Sequence, residues 1–108
     1  MAQEKVFEMK IKRYLKERGC YSVKFFANSY TKVGVPDILA CIKGHFIGIE
    51  VKAQNGHPSE LQLYNVEQIK KAGGFAYIVY PSGWEKLKGI IDDLLIDKFN
   101  KESEVILK

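Results

Sequence analysis

The first helix is predicted from apolar residues that recur with the period of an amphipathic helix. It runs from about Gln3 to Arg18, and its apolar positions are Phe7, Ile11, Tyr14 and Leu15. Gly19 follows directly, and glycine commonly ends a helix because it tolerates the left-handed backbone that closes the last turn. The pattern therefore indicates a helix with one face on a core.

Two apolar runs separated by a Lys-Gly pair predict a β-hairpin in the middle of the chain. The runs are Ile38–Ile42 and His45–Val51, and Lys43-Gly44 suits a two-residue turn because glycine accepts a positive φ. An earlier strand, Tyr21–Ala27, is indicated by β-branched and aromatic residues. A polar loop, Asn28–Val35, connects that strand to the hairpin.

The second half of the chain predicts a helix, a buried strand and a last helix. Its elements are a helix capped by Ser59 that ends at Gly73-Gly74, a strand Phe75–Tyr80, a helix from a Ser82–Glu85 capping box to about Asn100, and an edge strand Val105–Leu107. A right-handed parallel crossover should join the hairpin to the buried strand. The fold class is α/β, in the order α-β-β-β-α-β-α, with a mixed sheet flanked by helices.

Charge and cysteine content narrow the classes of function. The 108 residues suit one domain, 1–108, and the net charge of +4 is uneven. Residues 1–36 hold eight Lys or Arg against three Glu, and residues 37–108 hold nine against ten acids. The basic N-terminal third can bind a phosphate backbone, or it can be a solubilising helix face. Without a signal peptide, a membrane span or a CxxC pair, we expect a cytoplasmic protein in which Cys41 is a small core residue.

The turn of the hairpin predicts which side chains meet. If Lys43 and Gly44 form the turn, Ile42 faces His45 and, counting outward, Asp37 faces Glu50. Opposed side chains have Cβ atoms roughly 4.5–5.5 Å apart, and two like charges there destabilise the sheet unless something compensates. Lys52 lies two residues beyond Glu50 and so on the same face. The pattern places two acids and an amine together, unless a bulge shifts the register.

This residue set has the chemistry of phosphodiester cleavage. Carboxylates suit Mg²⁺, which binds through one or two of them together with a substrate phosphate. The backbone carbonyl of Val51, between Glu50 and Lys52, is a further candidate ligand. A lysine beside the metal can orient the attacking water or neutralise developing charge. The alternative is a surface hairpin with an incidental Glu–Lys pair.

The residues resemble the PD-(D/E)XK nuclease superfamily, and within it the small, stand-alone, phage-type VRR-NUC branch. The resemblance covers most of the chain. It rests on Lys-x-Arg-Gly19, Lys24 in a strand, Gly34-Val-Pro-Asp37, Glu50-Val-Lys52, Pro58-Ser-Glu-Leu-Gln62 and Ala72-Gly-Gly-Phe-Ala-Tyr-Ile-Val. It implies a restriction-endonuclease-like core and dependence on Mg²⁺ or Mn²⁺.

The resemblance also implies roles for individual residues. Asp37, Glu50 and the Val51 carbonyl are expected as metal ligands, and Lys52 as the catalytic lysine. Gln62 is expected to support the site, with a solvated helix position as the alternative. A glutamate of the first helix is expected near the metal as a further ligand. Glu8 is favoured over Glu4 because its distance from Gly19 is similar to that in related junction resolvases.

Several basic and aromatic residues are candidates for contact with nucleic acid. Tyr30 and Lys32 lie in the loop before Asp37, where they can touch a backbone or an exposed base. Lys24 is a candidate in the preceding strand, and Lys12 and Lys16 are candidates on the first helix. An ordinary loop and a solvated helix face are the alternatives.

The function predicted from these residues is metal-dependent, structure-selective cleavage of DNA, with branched DNA such as Holliday junctions as the substrate. A non-cleaving nucleic-acid-binding module of the same fold, or a nuclease for ordinary duplex, remains open. Relatives of this length resemble homodimeric junction resolvases, so a homodimer is expected. Its candidate interface is Phe25, Phe26 and the apolar positions Leu87, Ile90, Ile91 and Leu94, although monomer core is the favoured role of that last helix.

Overall fold

The computed structural model of the protein describes residues 2–26, 33–98 and 104–108. Its elements in chain order are α1 (Ala2–Glu17), β1 (Tyr21–Lys24), β2 (Ile38–Ile42), β3 (His45–Val51), α2 (Glu60–Lys71), β4 (Phe75–Val79), a 3-10 turn (Pro81–Gly83), α3 (Trp84–Leu95) and β5 (Ile106–Leu107). The predicted order of elements is confirmed. Among the described residues, no helix is long and apolar enough to cross a membrane.

The five strands form one mixed sheet in the order β1-β2-β3-β4-β5. The β1–β2 and β2–β3 pairs are antiparallel, whereas β3–β4 and β4–β5 are parallel. Lys43 and Gly44 have φ values of 50° and 85°, as a tight hairpin turn requires. Ile42 therefore pairs with His45 and Ile38 with Ile49, so the hairpin has the predicted register without a bulge.

Helices cover the sheet on both faces, and the larger core lies under α1 and α3. Phe7, Ile11 and Leu15 of α1 are buried in that core, which confirms the helical pattern of the sequence. From α3 it receives Leu87, Ile91 and Leu94, each with 0% of its surface exposed. Three of the four α3 positions considered for an interface are therefore monomer core.

The smaller core lies under α2 on the opposite face. Val66 and Ile69 of α2 pack against Ala76, Ile78 and Tyr80 of β4 and the residue after it. All five residues of β4 are buried, as predicted for a central strand. Since α2 packs over β3 and β4, it leaves β1 and β2 open to solvent on this face. Cys41 of β2 is exposed for that reason, and its predicted core position is wrong.

Three predicted boundaries differ from the structure. The first strand ends at Lys24 rather than Ala27, and α3 ends at Leu95 rather than near Asn100, which lies outside the described residues. The Ser82–Glu85 capping box is wrong, because α3 begins after Gly83 without a side-chain cap. The Ser82 hydroxyl instead accepts a hydrogen bond from Gln54 Nε2 at 2.9 Å.

Candidate active site

Asp37 and Glu50 meet where β2 begins and β3 ends. Ile38 pairs with Ile49, so the register carries Asp37 opposite Glu50. Asp37 Oδ2 accepts a hydrogen bond from the backbone N–H of Val51 at 2.8 Å. This bond fixes the carboxylate of Asp37 against β3, and the structure thus brings together the two acids as their register predicts.

Glu50 is an unusual carboxylate because it is almost completely buried, with 3% of its surface exposed. Burial, followed by the negative charge of Asp37, raises the pKa of Glu50 to about 8 although Lys52 lowers it. One oxygen, Oε1, is buried and has no hydrogen-bond partner among the described residues. Asp37 can bond to it only when a proton lies between the two acids, since both carboxylates are otherwise acceptors.

Gln62, in the first turn of α2, holds the other oxygen of Glu50. Gln62 Nε2 donates to Glu50 Oε2 at 2.8 Å, and Gln62 Oε1 accepts from the backbone N–H of Ser59 at 2.9 Å. The Ser59 hydroxyl accepts from the backbone N–H of Gln62, which completes a capping box. Gln62 therefore both completes the cap of α2 and positions Glu50. The sequence placed Gln62 beside the site only by resemblance.

Lys52 lies on the same side of β3 as Glu50. Its Nζ is 3.7 Å from Glu50 Oε2, and its side chain is 15% exposed. The residues that follow it are tied down, because the backbone N–H of Gln54 donates to Gln3 Oε1 at 2.7 Å and the Tyr80 hydroxyl donates to the Gly56 carbonyl at 2.9 Å. The amine is thus held near the acids and retains access to solvent.

The segment before Asp37 is anchored to α2 by close packing. Gly34 has a φ of 88°, and a Cβ at this position would lie 2.7 Å from the Leu61 carbonyl oxygen. The Asn65 side chain is buried and donates to the carbonyls of Val33 and Leu61 at 3.2 and 2.8 Å. Sequence reasoning missed Asn65, because a polar residue in a helix gives no sign of the carbonyl that it reaches.

Glu8 is connected to Asp37 through Lys24. Lys24 Nζ lies 3.0 Å from Glu8 Oε1 and 3.5 Å from Asp37 Oδ1. Burial lowers the pKa of Lys24, but hydrogen bonds and charges from Glu8 and Asp37 outweigh it, so its pKa is raised overall. Lys24, a candidate DNA contact, instead bridges two acids here. Lys12 Nζ is 3.9 Å from Glu8 Oε2.

The remaining predicted residues differ in how the structure places them. Lys16 is exposed in the last turn of α1, whereas Tyr30 and Lys32 lie outside the described residues. Glu4 is close enough that its charge helps to raise the pKa of Glu50. Both glutamates of α1 considered for the site therefore influence it, Glu4 through Glu50 and Glu8 through Lys24.

The residues present fit a divalent metal in their donor chemistry. An unpartnered, buried carboxylate oxygen beside a second carboxylate is stabilised by a cation, and oxygen ligands suit Mg²⁺ or Mn²⁺. Among the described residues, no three His, Cys, Asp or Glu side chains are grouped closely enough to hold a metal ion. The Lys24 ammonium contacts both Glu8 and Asp37.

The mixed sheet, the helices on both faces and the Asp–Glu–Lys set at the strand ends define a restriction-endonuclease-like fold of the PD-(D/E)XK type. The chain belongs to the archaeal Holliday junction resolvase family. The profile described as "Archaeal holliday junction resolvase (hjc)" matches residues 2–100.

Among solved structures, the chain is similar to Archaeoglobus fulgidus Hjc, described as a Holliday junction resolvase from an archaeal hyperthermophile, with a TM-score of 0.55. The two sequences are 20% identical, and the match covers 70% of this chain and 66% of that one, just under two thirds of its length. At this identity the likeness shows the fold. The search of curated proteins found no match.

Proposed function

We propose that the protein is a Mg²⁺- or Mn²⁺-dependent endonuclease that hydrolyses phosphodiesters in branched DNA such as Holliday junctions. The observation that carries the proposal is Glu50, a buried carboxylate with one unpartnered oxygen, placed beside Asp37 and Lys52. Membership of the resolvase family supports the choice of substrate. The narrower VRR-NUC assignment is part of this proposal and is supported by Gly34-Val-Pro-Asp37 and Pro58–Gln62.

Asp37, Glu50 and the Val51 carbonyl would hold the metal, with Glu8 as a further ligand from α1. Such an ion lowers the pKa of water and stabilises charge on a phosphate. The hydrogen bond from the Val51 N–H to Asp37 supports this set, because it keeps the Val51 backbone beside the carboxylate.

The other residues act by position and charge. Lys52 Nζ lies 3.7 Å from Glu50 Oε2 and its side chain keeps access to solvent, so its ammonium can donate to the attacking water or neutralise charge on the phosphate. Gln62 keeps Glu50 in one orientation, since its amide is fixed by the Ser59 backbone.

Cleavage accounts for the site better than binding alone. A module that only binds DNA gains nothing from two adjacent carboxylates, because like charges repel the phosphate backbone. Burying Glu50 with an unpartnered oxygen also destabilises the fold. Perturbed acids of this kind are typical of functional sites. The acids are therefore explained if they hold a cation that contacts the phosphate.

Cleavage of defined substrates tests the proposal. We expect a labelled four-way junction to be cut with Mg²⁺ or Mn²⁺, and flap, nicked and plain duplex of the same sequence to be cut less. Asp37→Asn and Lys52→Ala should each reduce the rate by at least about a hundredfold, in the range of lost charge stabilisation. Asp93→Asn, at an exposed position of α3, is the matched control.

Two results would decide against parts of this function. Unchanged cleavage by both Asp37→Asn and Lys52→Ala would show that these residues do not form the active site. Equal cleavage of junction and plain duplex would remove the selectivity for branches and leave an ordinary duplex nuclease. Tight junction binding with no cleavage under any divalent metal would favour the non-cleaving module.

We also propose a homodimer, whose contact is the part of the sheet that α2 leaves open. The residues that line this open face are Tyr21, Val23, Leu39, Ala40, Cys41 and Phe46, around a cleft of about 300 Å³. Tyr21 is 72% exposed and Phe46 is 44% exposed, and exposed apolar surface of this kind marks interaction sites. A two-fold dimer places one active site on each of two strands.

Sizing in solution tests the dimer. We expect the protein to sediment as a dimer and Phe46→Asp to sediment as a monomer, because a buried charge at an apolar contact opposes association. Ile96→Asp is the control, since Ile96 is 65% exposed and lies beyond the end of α3. A dimer that survives Phe46→Asp would exclude this face.

A further inference from the structure

Lys24 is the positive charge closest to the predicted metal ligands on the α1 side. Its Nζ lies 3.0 Å from Glu8 Oε1 and 3.5 Å from Asp37 Oδ1, and its side chain is 22% exposed. The contacts come from three separate elements, since Lys24 ends β1, Glu8 belongs to α1 and Asp37 precedes β2. The ammonium is therefore built into the site and is not one member of a solvated surface.

The ammonium stands where a metal ligated by both Glu8 and Asp37 would have to stand. A divalent ion and an ammonium cannot both remain within contact distance of the same carboxylate oxygens without strong repulsion, which grows with the product of the charges. Glu50 stays unsatisfied meanwhile, because its Oε1 has no partner among the described residues. The free protein thus presents one acid that favours a cation and two acids that share the single positive charge of Lys24.

An alternative position for the Lys24 side chain exists nearby. A cleft of about 230 Å³ adjoins it, lined by Lys5, Glu8, Met9, Lys12, Lys24 and Phe26. Lys24 Nζ already lies 5.7 Å from the centre of the Phe26 ring, on the side of this cleft. Lys5 and Lys12 give the cleft a positive rim, so a phosphate of the DNA backbone is the group that it would attract.

We propose that Lys24 is a positioning residue that couples metal binding to DNA binding. In the free protein its ammonium holds Glu8 and Asp37 and lowers their affinity for a divalent metal. A DNA phosphate at the cleft draws the ammonium away, and the two carboxylates then accept the metal. This inference rests on the proposed function, because it takes Glu8 and Asp37 as metal ligands.

The coupling must be reciprocal. If DNA raises the affinity for metal by some factor through Lys24, metal raises the affinity for DNA by the same factor. Substituting Lys24 by an uncharged residue should therefore tighten metal binding in the absence of DNA and reduce the further gain when DNA is added. Lys24→Arg should keep the wild-type behaviour, because it keeps the positive charge.

The test measures Mn²⁺ binding to the full chain by isothermal titration calorimetry, without DNA and then with a junction. The effect of DNA is measured in a Lys52→Ala background, with and without the junction and with and without Lys24→Met, so that the junction stays intact and the proteins compared differ only at Lys24. We expect Lys24→Met to bind Mn²⁺ about tenfold more tightly than wild type without DNA, a typical coupling factor. Lys12→Met is the matched control, because Lys12 is 3.9 Å from Glu8 and forms no ion pair with Asp37 among the described residues. We expect a change below about threefold for it.

The outcomes separate this inference from the proposed function. Equal or weaker Mn²⁺ binding by Lys24→Met, or the same gain in Lys12→Met, would overturn the role of Lys24. An equal effect of DNA with and without Lys24→Met in the Lys52→Ala background would overturn the coupling. Tighter metal binding by Lys24→Met in a protein that cuts no junction would support Lys24 and refute the nuclease. Urea unfolding of each variant confirms that it is folded.

Discussion

Replacing Glu50 by glutamine should stabilise the protein while it abolishes cleavage. Glu50 is 3% exposed, and its pKa is raised from 4.5 to about 8. A group with a raised pKa in the folded state binds more protons there than in the unfolded state. Between pH 4.5 and about 8, the unfolded chain therefore gains from ionising Glu50 while the folded chain does not, and stability falls as pH rises.

The magnitude follows from the size of the shift. Each pKa unit corresponds to about 1.4 kcal/mol, so the full shift amounts to roughly 5 kcal/mol above pH 8. Relaxation of the site and sharing of charge with Asp37 reduce this, and we expect Glu50→Gln to gain about 2–4 kcal/mol at pH 8.5. Glutamine can still accept the hydrogen bond from Gln62 and can donate to Asp37, so the amide fits the buried position.

Thermal unfolding with EDTA at two pH values measures the effect. We expect Tm to rise by about 8 °C or more at pH 8.5. At pH 5 we expect a rise of only a few degrees, because this pH is barely above the unfolded pKa of 4.5 and little of the stability difference has accumulated. Glu67→Gln, at an exposed position of α2, should change neither value. A Tm for Glu50→Gln that is lower than wild type, or raised equally at both pH values, would refute the reasoning about burial.

Two further substitutions test how the site is supported. Gln62→Ala should lower stability in urea unfolding by about 1–2 kcal/mol through the lost cap, and it should reduce cleavage at least about tenfold. Ser59→Ala should lower stability by a similar amount but leave cleavage near normal, because the hydrogen bond from Gln62 to Glu50 remains. Equal cleavage by Gln62→Ala and Ser59→Ala would show that Gln62 does not support the active site. Gly34→Ala should lose about 2–4 kcal/mol in urea unfolding and most cleavage, because it adds a left-handed penalty and a clash with α2. Gly89→Ala, at a position of α3 where a Cβ meets open space, should be neutral or stabilising. A loss of stability equal to that of Gly34→Ala would contradict the explanation by backbone strain and a clash with α2.

The parts of the fold that the sequence predicts are those set by local rules. Lys43-Gly44 determines a two-residue turn, and that turn alone sets the register that brings Asp37 to Glu50. Ser59 and Gln62 form a capping box and are only three residues apart, so the start of α2 can also be predicted from the sequence. The candidate site was found because its first three residues belong to one hairpin.

The parts that the sequence does not predict depend on contacts between distant segments. Gly83 lies where a Cβ would be 2.2 Å from the Leu107 carbonyl, so β5 helps to determine how α3 begins, which no local motif reveals. Cys41 lies in an apolar run, and its exposure depends on which strands α2 happens to cover. The position of Lys24 between Glu8 and Asp37 likewise requires three elements to be assembled first.

The double use of Gln62 ties the order of the active site to the local stability of one helical turn. When the first turn of α2 frays, the amide leaves Ser59 and Glu50 in the same event. Such local opening requires less free energy than global unfolding and becomes frequent well below the melting temperature. Warming should therefore inactivate the protein before it unfolds, and the amide hydrogens at the start of α2 should exchange with solvent at the same threshold.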